Sequence, residues 1–112
     1  MGQEKFDVLI VGAGPAGIFA ALELTQRPGL RIAILDKGRD IDRRLCPIRE
    51  SGGKCRHCQP CSILNGWGGA GAFSDGKLTL SPAVGGRLAE ILGESEAAHL
   101  IEEVDATYMH FG

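Results

Sequence analysis

The chain opens on an apolar run, Phe6 to Val11 (FDVLIV), in which β-branched side chains follow one another with little alternation. That is the pattern of a short parallel strand buried on both faces. A glycine turn follows, and Pro15 stands where the first turn of a helix tolerates a missing N–H. Ile18, Phe19, Ala21, Leu22 and Leu24 supply the apolar positions of that helix before Arg27-Pro28-Gly29 stops it, and Arg31 to Leu35 reads as a second strand. Strand, glycine turn, helix and strand make one βαβ unit, a crossover that is almost always right-handed.

From Lys37 to Asn65 the periodicity disappears. Charged residues, Gly52-Gly53 and all four cysteines occupy this stretch, and connections of such length are usually functional. After GWGGAG at 66–71, Ala72-Phe73-Ser74 and Lys77-Leu78-Thr79-Leu80 flank Asp75-Gly76. That dipeptide supports the positive φ of a type I′ turn, so a small hairpin is expected within 66–82. Residues 83–112 read as helical: Leu88, Ile91 and Leu92 precede Gly93, and Ala97, Leu100, Ile101, Val104 and Tyr108 recur at spacings of three and four. His99 falls on the polar side of this last helix.

The fold class these elements define is α/β: a Rossmann-type FAD/NAD(P)-binding βαβ unit with an incomplete sheet, a Cys-containing loop (37–65), a glycine loop with a β-hairpin (66–82) and two helices (83–112). Two strands and one crossover are too few for a doubly wound sheet. Residues 1–112 are therefore expected to be the N-terminal part of a larger FAD-binding domain, and to be aggregated or molten when isolated.

Composition narrows the function. A length of 112 residues allows one domain. Apolar residues at 44% and charged residues at 23% are those of a globular protein. Twelve Lys and Arg against fourteen Asp and Glu give 12 − 14 = −2, too little positive charge to attract a nucleic-acid backbone. No apolar run approaches the roughly 18 residues of a membrane span, and Met1 to Phe6 lacks the features of a signal peptide. A cytoplasmic protein is expected, with a small-molecule substrate or electron donor or acceptor as partner. Glycine stands out at 17 residues, about twice the usual ~7%, and implies tight backbone work.

Gly12-Ala13-Gly14-Pro15-Ala16-Gly17 matches GxGxxG, in which the three glycines serve the tight turn, the close approach of the backbone to a pyrophosphate, and the packing of helix on strand. The helix start at Pro15 and Ala16 then presents N–H groups and the positive end of its dipole to the diphosphate. Asp36 closes the second strand 36 − 17 = 19 residues after the last glycine, near the ~20 expected of a carboxylate that holds a ribose hydroxyl. Lys37 lies beside it. The same geometry serves the ADP half of FAD or of NAD, while the carboxylate argues against the 2′-phosphate of NADP.

The residues DVLIVGAGPAGIFAALEL at 7–24, CPI at 46–48 and NGWGGAGAFSDGKLTLSPAVGG at 65–86 resemble a prokaryotic family of FAD-dependent dehydrogenases, related in their nucleotide-binding domain to the glutathione-reductase-like flavoproteins. The resemblance covers nearly all of this chain but only about the first quarter of such proteins. It implies an FAD-dependent oxidoreductase, with FAD rather than NAD at Gly12, Gly14, Gly17 and Asp36. It also implies that the loop containing Gly68, Gly69 and Gly71 runs beside the flavin, where Lys77 would place positive charge near the reduced ring. Flavoproteins of this type commonly carry Glu where Asp36 stands.

Cys55, Cys58 and Cys61 stand at successive CxxC spacings, with Cys46-Pro47 upstream. Such spacing suits ferredoxin-type iron–sulfur ligation, where the remote cysteine precedes a proline. Four thiolates would equally satisfy zinc. Alternatively Cys55 with Cys58, or Cys58 with Cys61, forms a redox dithiol activated by Arg56 or His57. A metal-thiolate electron-transfer module is accordingly the alternative to a nucleotide-dependent dehydrogenase.

Overall fold

Strand β1 (Val8–Val11) pairs in parallel with β2 (Ile32–Leu35), in a register that runs from Val8 beside Ile32 to Val11 beside Leu35. The ladder extends at both ends, where Asp7 N–H donates to Arg31 O at 2.8 Å and Gly12 N–H to Leu35 O at 2.7 Å. Arg31 answers by donating its amide and its Nε to the Asp7 carboxylate, at 2.9 and 3.3 Å. Between the strands lies helix α1 (Pro15–Thr25). Its first backbone bond runs from Ile18 N–H to Gly14 O, so Pro15 occupies the position where an absent N–H costs nothing. The structure is a computed structural model that describes residues 3–112.

The α/β reading is correct. The strand is not covered as expected, however. Val8 and Ile10 are half-buried toward α1, whereas Leu9 and Val11 are 55% and 83% exposed. Within the first unit α1 packs on one face of the sheet, and the apolar run is covered on alternate residues alone.

The stretch 37–65 folds back rather than wandering. A 3-10 turn at Ile41–Arg43 and turns at 46–52 and 61–65 bring Gly66 beside Arg39, where Trp67 N–H donates to Arg39 O at 3.1 Å. The hairpin expected within 66–82 does not form. Gly69–Phe73 is a 3-10 helix, and no strand is found among residues 66–82. Asp75-Gly76 still turns, with Lys77 N–H on Asp75 Oδ1 at 3.4 Å and Gly76 at φ +77°. What overrides the pairing is Phe73, whose ring packs 4.7 Å from the guanidinium carbons of both Arg44 and Arg49. This holds the first arm of the would-be hairpin in a helical turn.

The described chain divides into two compact units, the first ending at Ser74 and the second spanning Asp75–Gly112. In the second, α2 (Leu88–Leu92) meets α3 (Glu94–Phe111) at Gly93, and Ala97 is fully buried. His99 lies on the exposed side, 3.4 Å from Glu103. No described helix is long and apolar enough to cross a membrane.

Candidate nucleotide site

The first glycine turn divides its labour among three residues. Gly12 takes φ +107°, a conformation L side chains rarely adopt. At Gly17 a Cβ would collide with the Gly12 carbonyl oxygen and lie 3.2 Å from Ile10 Cγ2, so glycine there is what lets α1 sit on β1. Gly14 differs: its backbone is extended, at φ −79°, and a Cβ would find nothing nearer than Gly69 Cα at 3.9 Å. That is ordinary van der Waals contact, so a methyl group there would rest against Gly69 without a clash.

The N–H groups of Gly14, Ala16 and Gly17 donate to no group among the described residues. Helix α1 has no side-chain cap and no acidic residue in its first turn. An uncapped helix N-terminus with free amides attracts an anion through both hydrogen bonding and the helix dipole.

Asp36 sits directly after β2 and is tied to this turn. Its Oδ2 accepts from Ala13 N–H at 2.8 Å and its Oδ1 from Gly38 N–H at 2.7 Å. The Ala13 amide above all, then that of Gly38, holds the carboxyl below its ordinary range; the Gly66 amide and the charge of Arg44 act in the same direction. The residue remains exposed, as does Lys37 beside it. One carboxylate thus braces the turn and still faces solvent at the end of β2.

The second glycine motif closes against the first. Gly68 N–H donates to Ala13 O at 2.8 Å. A Cβ on Gly69 would stand 2.9 Å from Gly14 Cα, and one on Gly71 would stand 3.5 Å from Pro15 Cγ. Gly68, Gly69 and Gly71 therefore form a wall of backbone on Gly14-Pro15, an adjacency that no periodicity encodes.

Sequence reasoning missed Arg44. It is 3% exposed and donates to three carbonyls, Nε to Ser62 O at 2.9 Å, Nη1 to Trp67 O at 2.6 Å and Nη2 to Ile63 O at 2.7 Å. One arginine among several in DKGRDIDRR carries no local mark of burial.

The structure does not gather the four cysteines into one cluster. Cys46, Cys55, Cys58 and Cys61 are all free thiols, and among the described residues no three His, Cys, Asp or Glu side chains come together to hold a metal ion. Cys46 lines a cavity of about 680 Å³ with Arg44, Arg49 and Phe73, whereas Cys58 lines another of about 250 Å³ with Arg39 and Asn65. The chain turns at His57, φ +50°, whose N–H donates to Cys55 Sγ at 3.4 Å. Chained CxxC spacing converges on a metal only if the intervening turns wrap around one point, and here the segment is drawn instead toward the carbonyl contacts of Arg44. Lys77 belongs to the second unit, exposed and ion-paired with Asp75 at 3.1 Å.

Fold and turn define a Rossmann-type βαβ unit. The Thi4 family matches residues 3–41, the span that holds β1, the glycine turn, α1, β2 and Asp36. The chain is 45% identical over 71 residues to an uncharacterized protein of Clostridium beijerinckii, a match covering 63% of this chain and 13% of that protein. It is 36% identical over 53 residues to the ribosomal RNA dihydrouridine synthase of Escherichia coli, covering 47% of this chain and 12% of that enzyme. The chain thus spans about an eighth of the length of these relatives. No solved structure gives a significant match. Of these two relatives, the Escherichia coli protein is named as an enzyme.

Proposed function

We propose that this chain supplies the ADP-binding part of an FAD-dependent oxidoreductase. The observation that carries the reading is the set of unpartnered amides at Gly14, Ala16 and Gly17, walled by Gly69 and braced by Asp36. The residues fit the group: a diphosphate needs close backbone approach and donors, and a ribose needs an acceptor at the end of β2. FAD, when bound, supplies hydride or electron transfer. The chain's own part is to bind and orient. Gly14, Ala16 and Gly17 would hold the diphosphate oxygens through their N–H groups, Asp36 would accept from a ribose hydroxyl, and its charge would repel a 2′-phosphate. Gly68, Gly69 and Gly71 close the far side without side chains that would exclude the ligand. FAD is favoured over NAD by the resemblance of residues 7–24, 46–48 and 65–86 to the FAD-dependent dehydrogenases.

The test uses the intact protein, purified without added cofactor. Flavin absorbance, with FAD released at one equivalent on denaturation, is the expected result. Colourless protein that binds NAD but not FAD would replace this reading with a nicotinamide-dependent one.

A further inference from the structure

We propose that Arg44 is a positioning residue of the nucleotide site, whose guanidinium fixes the backbone of 62–67 so that Gly66 to Gly69 close over the first glycine turn. The inference rests on the FAD reading above and adds to it the residue on which the closed wall depends.

Arg44 is buried, yet no acidic side chain lies within ion-pair distance of it among the described residues. A cation removed from water needs strong compensation, and here it comes from three carbonyls of a single turn, those of Ser62, Ile63 and Trp67. The guanidinium presents its donors in a rigid planar fork. Three carbonyls can meet that fork together in few backbone arrangements, so the fork selects one. Phe73 closes over the guanidinium at 4.7 Å, and a Cβ on Gly66 would stand 2.8 Å from Arg44 Cδ. The arginine stem therefore fills the space that a side chain at 66 would take.

From this clamp the effect runs directly to the nucleotide turn. Trp67, held by its carbonyl, donates its N–H to Arg39 O. Gly68, the next residue, donates to Ala13 O, and Gly69 lies on Gly14. The Gly66 amide faces Asp36. Without the fork the three carbonyls turn to water, the contacts of Gly66 and Gly68 loosen, and the amides of the first turn lose their wall.

The experiment compares intact wild-type protein with Arg44→Ala, Arg44→Lys and Arg49→Met. Arg49 stacks on the same Phe73 ring but among the described residues its side chain donates to no backbone carbonyl, so Arg49→Met controls for loss of its stack. FAD affinity of the stripped proteins is measured by flavin fluorescence, and amide hydrogen exchange is followed in peptides from 62–71 and from 7–35, with FAD absent. For Arg44→Ala the expected result is FAD binding weakened about ten-fold or more, fast exchange confined to 62–71, and recovery of both on adding millimolar guanidinium ion. Arg44→Lys, which keeps the charge but not the fork, falls between, and Arg49→Met, in which Arg44 still packs on Phe73, binds FAD more tightly than either Arg44 variant. Equal FAD affinity in wild type and Arg44→Ala overturns the proposal, as does exchange that rises equally in 7–35, which marks general destabilisation. Wild-type protein with no affinity for FAD overturns the nucleotide reading itself, and this inference with it, whatever the exchange pattern.

Discussion

Gly14 and Gly17 are both glycines of one motif, yet the structure separates what each does. An alanine at Gly17 would drive its Cβ into the Gly12 carbonyl, and overpacking of this kind costs about 1–3 kcal/mol, more than the gain in helix propensity of roughly 1 kcal/mol. An alanine at Gly14 meets no such obstacle, and with a permitted φ it should leave the fold unharmed or stabilise it by about 0.4–1 kcal/mol. Its methyl group would instead lie against Gly69 Cα, filling the gap between the two glycine turns through which the backbone is proposed to meet the diphosphate. Urea unfolding and FAD titration of the two intact variants should therefore dissociate: Gly17→Ala loses stability, whereas Gly14→Ala keeps it and loses FAD. Asp36 yields a pH prediction. Its carboxyl is held below the ordinary range by the Ala13 and Gly38 amides, so the folded state favours the charged form. The stability this confers is complete above the unfolded value of about 3.9 and is lost as pH falls through the lower folded value. Stability and FAD affinity should be level from neutrality down to about pH 4 and decline below it. Asp7 and Asp75 are shifted in the same direction by Arg31 and Lys77, so the part due to Asp36 is the difference between wild type and Asp36→Asn in the same acid titration.

At the scale of elements, what the sequence made legible was what local pattern determines. β1, α1 and β2 follow from a β-branched run, a proline at a helix start and a glycine stop, and α3 follows from spacings of three and four. The glycines and Asp36 were legible as a motif because turn and strand end are close in the chain. The loop that walls the site was not. Its closure depends on Arg44 reaching carbonyls eighteen to twenty-three positions away, and the hairpin signal of Asp75-Gly76 yielded to the packing of Phe73 between two arginines. Local preference settles an element only where tertiary contacts leave it free. Gly93 shows the converse. It ends α2 and starts α3 at φ +87° and ψ 155°, and a Cβ there would meet nothing within 4 Å. Gly93→Ala is thus a pure backbone test, in which the region open essentially to glycine alone should cost about 1–3 kcal/mol. The expected outcome is a lower unfolding midpoint with the FAD affinity of the first unit unchanged. A variant as stable as wild type would mean that this junction is held by something other than the glycine's freedom.

Across the whole molecule the apolar groups are poorly covered. The fully buried hydrophobic residues are Ala13 and Ala97, one in each unit, and no large side chain is fully buried among the described residues. On the open face of the sheet Leu35 is 53% exposed beside Val11, and in the second unit Ile91 is 73% exposed. Side chains such as these contribute about 1.5–3 kcal/mol each when buried, so a chain that leaves them in water forgoes most of what offsets its conformational entropy. Residues 1–112 produced alone should keep helical far-UV circular dichroism, bind ANS and melt over a broad range without a cooperative transition, the behaviour of a compact state lacking fixed packing. A sharp calorimetric transition with no ANS binding would show that the two alanines and the half-buried positions suffice. The distinction reaches the site as well. Free amides at Gly14, Ala16 and Gly17 bind an anion strongly only if the turn is already rigid, since ordering it on binding subtracts from affinity. FAD affinity measured for residues 1–112 alone should therefore fall well below that of any longer protein in which Leu9, Val11 and Leu35 are covered.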